Sequence, residues 1–192
     1  MIEIENFIPQ SYQDIIEDII FKTSDFQWVY TPSTNNQKEQ QLMKRDAASY
    51  DSEQLVHMMF LEGSKRSQFF DVLFPFFYFM EEKTGVRMGA IERIKANMLL
   101  RSAEPPEKYN TPHIDVPDPG YKSLLYYVRD SDGDTVIFNE SYRDSKGLTI
   151  KKRVSPKKGR AILFDSNVWH ASSNPRTHQN RVVVNFIFQV KT

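Results

Sequence analysis

Beyond Gly85 the chain stops reading as helix and becomes a succession of short strands, and this change constrains the fold more than any other feature. The strand candidates are 90–101, 121–129, 134–139, 148–154, 160–164 and 181–190. Turn chemistry separates them at Pro117-Asp118-Pro119-Gly120, Asp132-Gly133, Lys146-Gly147 and Lys158-Gly159. In the last candidate, Arg181, Val183, Asn185 and Ile187 share one face. An arginine opening so apolar a strand is either paired or set at an exposed edge. A jelly roll is the antiparallel architecture that best accommodates so many short strands.

The first 85 residues read as mostly helical support. Ser11 can cap a segment in which Ile15, Ile16, Ile19 and Ile20 form a stripe at helical spacing. Residues 31–41 are polar and read as an exposed loop. Asp51 or Ser52 can cap a second helix carrying Leu55, Val56, Met59 and Phe60. The aromatic stretch 68–83 predicts a third, kinked at Pro75, stopped at Gly85 and packed behind a sheet. No linker or repeat divides the chain. The expectation is one domain over 1–192, mainly β, with helices of 1–85 laid against a β core of 86–192.

Composition excludes several classes of chemistry. The chain has no cysteine, so it has no disulfide, thiolate metal site or cysteine nucleophile. Lys+Arg and Asp+Glu both total 25, which offers no general attraction to nucleic acid or anionic membranes. The six basic residues between 151 and 160 read as a solvated hairpin offset by the acidic stretch 130–134. Glu3 and Glu5 deny the N-terminus a basic signal-peptide region, and the most apolar run, 72–80, is too short to span a bilayer. With a mean hydropathy of −0.55, the expectation is a soluble cytoplasmic protein.

Four histidines remain to be judged. His57 lies in an apolar pattern and reads as structural; His178 lies in a polar loop and reads as solvated. His113-Ile114-Asp115 is different, because on a strand His113 and Asp115 point to one side and Ile114 to the other. His170 follows 57 residues later, beyond the apolar run ending at Phe164. Two imidazoles and a carboxylate can occupy one face of an octahedral Fe(II), leaving three positions open. Arg181 can then clamp an anionic cosubstrate. Trp169 beside His170 reads as a core or edge aromatic.

From about residue 88 to 190 these pieces resemble the 2-oxoglutarate- and Fe(II)-dependent oxygenases, in particular their prolyl 4-hydroxylase-like branch and its phage-encoded members. The matching segments are His113-Ile114-Asp115, Ser123-Leu124-Leu125-Tyr126-Tyr127-Val128, Asp132-Gly133-Asp134-Thr135-Val136-Ile137-Phe138, the run Pro156 to Phe164, His170 and Arg181. The resemblance implies a double-stranded β-helix, a cupin-like jelly roll, with His113, Asp115 and His170 as iron ligands. It implies that Arg181 pairs with the distal carboxylate of 2-oxoglutarate, assisted by Tyr127. It extends to Asn185 as support for the cosubstrate or its water and to Arg101 as a group facing the site.

The implied activity is hydroxylation of an unactivated C–H with Fe(II), 2-oxoglutarate and O2, ascorbate serving as an accessory reductant. Succinate and CO2 are the by-products. The implied acceptor is a peptide or protein side chain, with prolyl first. A small metabolite or free amino acid is the alternative, and a non-catalytic metal-binding protein of the same fold is a third reading. Apolar Val183 and Ile187 are expected to keep the site dry. A second Arg six residues after Arg181, usual in nucleic-acid demethylases of this superfamily, is replaced by Ile187. Loop 102–111 is expected to overhang the metal as a mobile lid.

Overall fold

The computed structural model describes residues 1–34, 44–105, 107–144 and 147–191. The chain runs through β1 (Ile2–Ile4), α1 (Gln10–Lys22), β2 (Val29–Thr31), β3 (Ser49–Tyr50), β4 (Gln54–Leu61), β5 (Ser64–Lys65), α2 (Phe70–Leu73) and α3 (Phe76–Thr84). It continues through β6 (Met88–Leu100), β7 (Tyr109–Asn110), β8 (Tyr121–Tyr127), β9 (Thr135–Ser141), β10 (Ile150–Val154), β11 (Ala161–Asp165), β12 (Val168–Ser172) and β13 (Asn180–Val190). The major sheet has the order β1-β11-β8-β13-β6-β4-β2, with β5 on β4. The minor sheet is β10-β9-β12, and β3 pairs with β7 alone. The architecture is mostly β, the jelly roll expected.

Period-2 alternation divides the interior into two layers. From β13, Val182, Val184, Phe186 and Phe188 face the helices, joined by Ile94, Ala96, Leu124 and Tyr126 from β6 and β8. Phe76 stacks on Phe186 with centroids 5.1 Å apart, and Phe77 meets Phe188 edge-on at 5.5 Å. Each buried ring contributes about 1.5–3 kcal/mol, so the aromatic stretch is the packing layer behind one sheet. The opposite parity, Leu125, Tyr127, Ile162, Phe164 and Val183, forms a second core with Ile137 and Val154 of the minor sheet. Trp169 is buried on the minor sheet's other side with Tyr109, Ile114 and Phe138.

Several expectations need correction. The helix over 51–60 is the strand β4, paired with β6 on one side and β2 on the other. A register shift between Met58 and Phe60 breaks its alternation, which is why Leu55, Val56, Met59 and Phe60 mimic helical spacing. His57 therefore sits on a strand, but its role is structural as read: its ring stacks on Phe26 at 4.0 Å and its nitrogens lie 2.7 Å from the Gln27 carbonyl and 2.8 Å from Ser67 Oγ. The aromatic helix is not one kinked rod. Pro75, lacking an N–H, separates α2 from α3 and stands at the N-cap of the latter. Gly85 ends α3 with φ +71°, the left-handed stop expected of it. Helix α1 starts at Gln10 after Pro9, so Ser11 is no cap; Ile16 and Ile20 are buried while Ile15 is exposed.

Of the polar stretch 31–41, residues 35–41 lie outside the described residues, as does Lys146 of the Lys146-Gly147 turn. The basic segment is neutralised more by the N-terminus than by 130–134. Lys152 pairs with Glu3, Arg160 with Glu5 at 2.7 Å and Lys158 with Asp14 at 2.6 Å, while Arg153 stands 4.0 Å from Asp134. Among the described residues, no helix is long and apolar enough to cross a membrane.

Candidate metal centre

His113 and His170 reach the same point because their backbones pair. Each donates its N–H to the other's carbonyl at 2.9 Å, an isolated antiparallel bridge tying the segment before Asp115 to β12. Alternation then turns Ile114 into the aromatic cluster around Phe138 and Trp169, and His113 and Asp115 into a cavity between the sheets. The candidate ligand atoms of His113, Asp115 and His170 all lie within 4.8 Å of one another.

The surroundings prepare each of these groups. Ser123 Oγ donates to Asp115 Oδ2 at 2.6 Å and Arg93 Nη2 to Oδ1 at 2.9 Å, with Asn185 Nδ2 3.4 Å from both oxygens. Burial alone would raise the Asp115 pKa, but the neighbouring His170, Arg93 and the Ser123 hydrogen bond outweigh it and hold the carboxyl below its usual range. His170 Nδ1 lies 3.0 Å from the Val168 carbonyl, which can only accept, so that nitrogen carries the proton. Its Nε2, 3.6 Å from Asp115 Oδ2, keeps its lone pair for a ligand bond. Burial, then the neighbouring His170, pushes the His113 imidazole down to about 3, so it is neutral near pH 7.

Two buried polar atoms here, His113 Nδ1 and Asn185 Oδ1, have no partner among the described residues. Buried polar atoms are nearly always satisfied, so a site leaving two of them open fits an added group. Two imidazoles and one ionised carboxylate are a donor set for Fe(II) with open positions. The residues fit the metal.

Arg181 is buried beside this centre, in the same cavity. Its Nε donates to the Gly133 carbonyl at 2.7 Å and its Nη2 to Thr135 Oγ1 at 2.6 Å. Burial lowers its pKa from a value so high that the guanidinium stays charged. Tyr127 donates to the same Thr135 oxygen at 2.7 Å, and burial pushes its phenol up to about 12. Gly133 is required by this packing: a Cβ there would stand 2.5 Å from the Ser173 carbonyl oxygen and 3.0 Å from Arg181 Cδ. Asp132 accepts the backbone N–H groups of Arg176, Thr177 and His178 and holds the loop leading into β13.

The structure thus brings His113, Asp115, His170, Arg181 and Asn185 to one cavity, with Val183 in its wall. Tyr127 does not line it but steadies Arg181 through Thr135. Arg101 is a miss: β6 ends at Leu100, and Arg101 is exposed beyond it, its N–H bonded to the Gln179 carbonyl. Ile187 is buried but is not part of the wall. His178 is exposed yet not merely solvated, since its Nδ1 lies 2.9 Å from Asp132 Oδ1. Loop 102–111 also differs from expectation. Its end, Tyr109–Asn110, is buried as β7, Pro106 lies outside the described residues, and none of its described residues lines the cavity; Thr34 and Gln54 do.

Sequence reading missed the cavity's third wall. On β6, Ile94, Ala96 and Met98 are buried in the core that faces the helices, while Arg93, Lys95, Asn97 and Leu99 line the cavity. Polar residues at every second place on an otherwise apolar strand were the available signal.

Residues 98–189 match a family model described as the 2OG-Fe(II) oxygenase superfamily. No curated protein matches the chain by sequence. Among solved structures, the chain is similar to a 2OG-Fe(II) oxygenase family oxidoreductase from Burkholderia pseudomallei (TM-score 0.66, 12% identity, covering 98% of this chain and 84% of that one). It is also similar to the non-heme alpha-ketoglutarate-dependent epimerase SnoN of nogalamycin biosynthesis (0.63, 9%, 98% and 76%). A third is a prolyl hydroxylase from Trichoplax adhaerens, solved with a hypoxia inducible factor peptide fragment (0.58, 13%, 98% and 82%). At these identities the likeness is one of fold. The family match over residues 98–189, the fold and the donor set agree in pointing to a 2-oxoglutarate-dependent dioxygenase. The matched family uses Fe(II), 2-oxoglutarate and O2.

Proposed function

We propose that this protein hydroxylates an unactivated C–H bond of a peptide or protein side chain. The balance is R–H + 2-oxoglutarate + O2 → R–OH + succinate + CO2. The observation that carries the reading is the burial of Arg181 in the cavity that also holds His113, Asp115 and His170. A metal site alone has no use for a buried guanidinium, whereas a cosubstrate with a carboxylate at each end does.

His113, Asp115 and His170 hold the iron, which with 2-oxoglutarate supplies the oxidising power. The His113 imidazole, held neutral by burial, binds without first losing a proton. Ser123 and Arg93 orient the Asp115 carboxylate. Arg181 clamps the distal carboxylate of the cosubstrate, and the Gly133 carbonyl and Thr135 hydroxyl fix the plane of its guanidinium. Tyr127 secures Thr135. Asn185 offers its amide beside Asp115, and Val183 excludes water. The intact carboxylate at 115 favours hydroxylation over halogenation, which needs that ligand position for halide. A peptide acceptor draws support from the prolyl hydroxylase likeness, and a cytoplasmic location from the lack of cysteine.

The test is purified protein with Fe(II), 2-oxoglutarate, O2 and a panel of prolyl peptides. Succinate should form, and one peptide should gain the mass of one oxygen. Succinate with no peptide oxidised but a metabolite oxidised instead would refute the peptide assignment. No succinate under any condition would refute the hydroxylase.

A further inference from the structure

Two hydrogen-bond acceptors in the cavity wall are met by neither the protein nor the cosubstrate. Asn185 is 5% exposed, and its Oδ1 has no partner among the described residues. Asn97 Oδ1 is likewise shut off from solvent with no partner among them. Both residues line the cavity that holds His113, Asp115 and His170. The Asn185 amide has one sensible orientation. Its Nδ2 lies 3.4 Å from both oxygens of Asp115, and turning it over would set oxygen against an ionised carboxylate. The oxygen is the end left over.

Register brings the two amides together. Across the β6–β13 ladder, Asn97 is level with Val183 and Asn185 with Lys95, so the two asparagines are diagonal neighbours on one face. Diagonal neighbours start about 7–8 Å apart, a gap that one small ligand can bridge. Buried acceptors are nearly always satisfied, and two left open side by side call for a donor. 2-Oxoglutarate has none to give, since its carboxylates and keto oxygen all accept. The donor therefore arrives with the molecule to be oxidised. It is also neutral. A buried cation calls for a carboxylate, and Asp115, the one acid among the described lining residues, is already held by Ser123 and Arg93.

We infer that the acceptor is held by a neutral N–H group, a carboxamide or peptide amide, donating to Asn97 Oδ1 and Asn185 Oδ1 beside the bond that is oxidised. This rests on the oxygenase reading above and adds the group by which its substrate is recognised. A prolyl nitrogen within a peptide carries no hydrogen, so in a prolyl acceptor the N–H comes from a flanking residue. An analogue lacking that hydrogen is rejected because it leaves both buried oxygens unmet.

The experiment titrates propionamide, butanone and propylammonium into protein loaded with Zn(II), a redox-inert metal, and 2-oxoglutarate, following the side-chain amide NMR signals of Asn97 and Asn185. Butanone has the shape of propionamide with a methyl in place of –NH2. Propionamide should shift both signals and bind about tenfold or more tightly than either competitor. Asn97→Leu and Asn97→Ala should lose the preference while 2-oxoglutarate affinity stays within about threefold. Asn97→Asp should turn the preference toward propylammonium, a reversal that a merely structural asparagine would not produce. Failure of propionamide to bind, equal binding of butanone or propylammonium, a preference surviving in both Asn97→Leu and Asn97→Ala, or no reversal in Asn97→Asp overturns the inference. Since the titration needs no turnover, failure to make succinate strikes the oxygenase reading and leaves this result standing.

Discussion

Replacing Gly133 with Ala tests how Arg181 is held. The added methyl would stand 2.5 Å from the Ser173 carbonyl oxygen and 2.9 Å from the Pro175 nitrogen, both backbone atoms, and 3.0 Å from Arg181 Cδ. Overpacking of this kind costs about 1–3 kcal/mol. For a chain of this size each kcal/mol lowers Tm by about 2–4 °C, so the variant should melt about 2–12 °C lower. The function should suffer separately. Relief of the clash moves either the Arg181 stem or the 173–175 backbone, and the 2.7 Å bond from Arg181 Nε to the Gly133 carbonyl is lost. A charged hydrogen bond is worth about 1.5–3 kcal/mol, or roughly 10- to 150-fold in 2-oxoglutarate affinity. Differential scanning fluorimetry and calorimetric titration with a redox-inert metal read the two effects. Gly147→Ala is the control: among the described residues nothing lies within 4 Å of its new methyl, and it should shift Tm by no more than about 2 °C. Gly133→Ala with unchanged Tm and affinity would refute this account of Arg181.

Three further outcomes are expected. His170→Ala should abolish metal binding and turnover, whereas His178→Ala, which loses only an exposed contact to Asp132, should keep both near normal; a dead His178→Ala would mean the wrong histidine is assigned to the metal. Arg181→Ala should weaken 2-oxoglutarate binding by about 30- to 5,000-fold, the usual 2–5 kcal/mol for truncating one partner of a buried charge pair, with metal affinity retained; equal loss of both would indicate unfolding. Asp132 is penalised by burial, but the N–H of Thr177 and both groups of His178 outweigh this and depress its pKa. A depressed carboxylate stabilises the fold above its unfolded pKa of about 3.9 and loses that contribution as pH falls toward the folded value. Urea midpoints of wild type and Asp132→Asn should therefore differ at pH 7 and converge below about pH 4; a constant gap contradicts the ionised clasp.

What could be read from the chain was whatever depended on local alternation. The parity of Arg181, Val183 and Asn185 and the shared side of His113 and Asp115 follow from period 2, and the structure puts all five in one cavity. Strand β4 was misread because a register shift gave it helical spacing, and β12 was overlooked because five residues around Trp169 and His170 carry little pattern. Arg101 failed for a different reason: it shares parity with the cavity face of β6, but the strand stops one residue before it. Most instructive is Arg93. Its cross-strand neighbour is Ile187, the position where a second arginine is missing in sequence. A guanidinium does stand at that level, delivered from a strand nearly a hundred residues earlier, and no spacing rule within β13 could reveal it.

The central claim, that His113, Asp115 and His170 hold an iron whose chemistry is coupled to a cosubstrate clamped by Arg181, is tested most directly by counting succinate. Purified protein given Fe(II), 2-oxoglutarate and O2 should form succinate, and Asp115→Ala and Arg181→Ala should each reduce it to background, the first without bound metal and the second with metal bound. Succinate formation that survives Asp115→Ala, or a wild-type protein that binds iron and 2-oxoglutarate yet forms none with any acceptor, would contradict it.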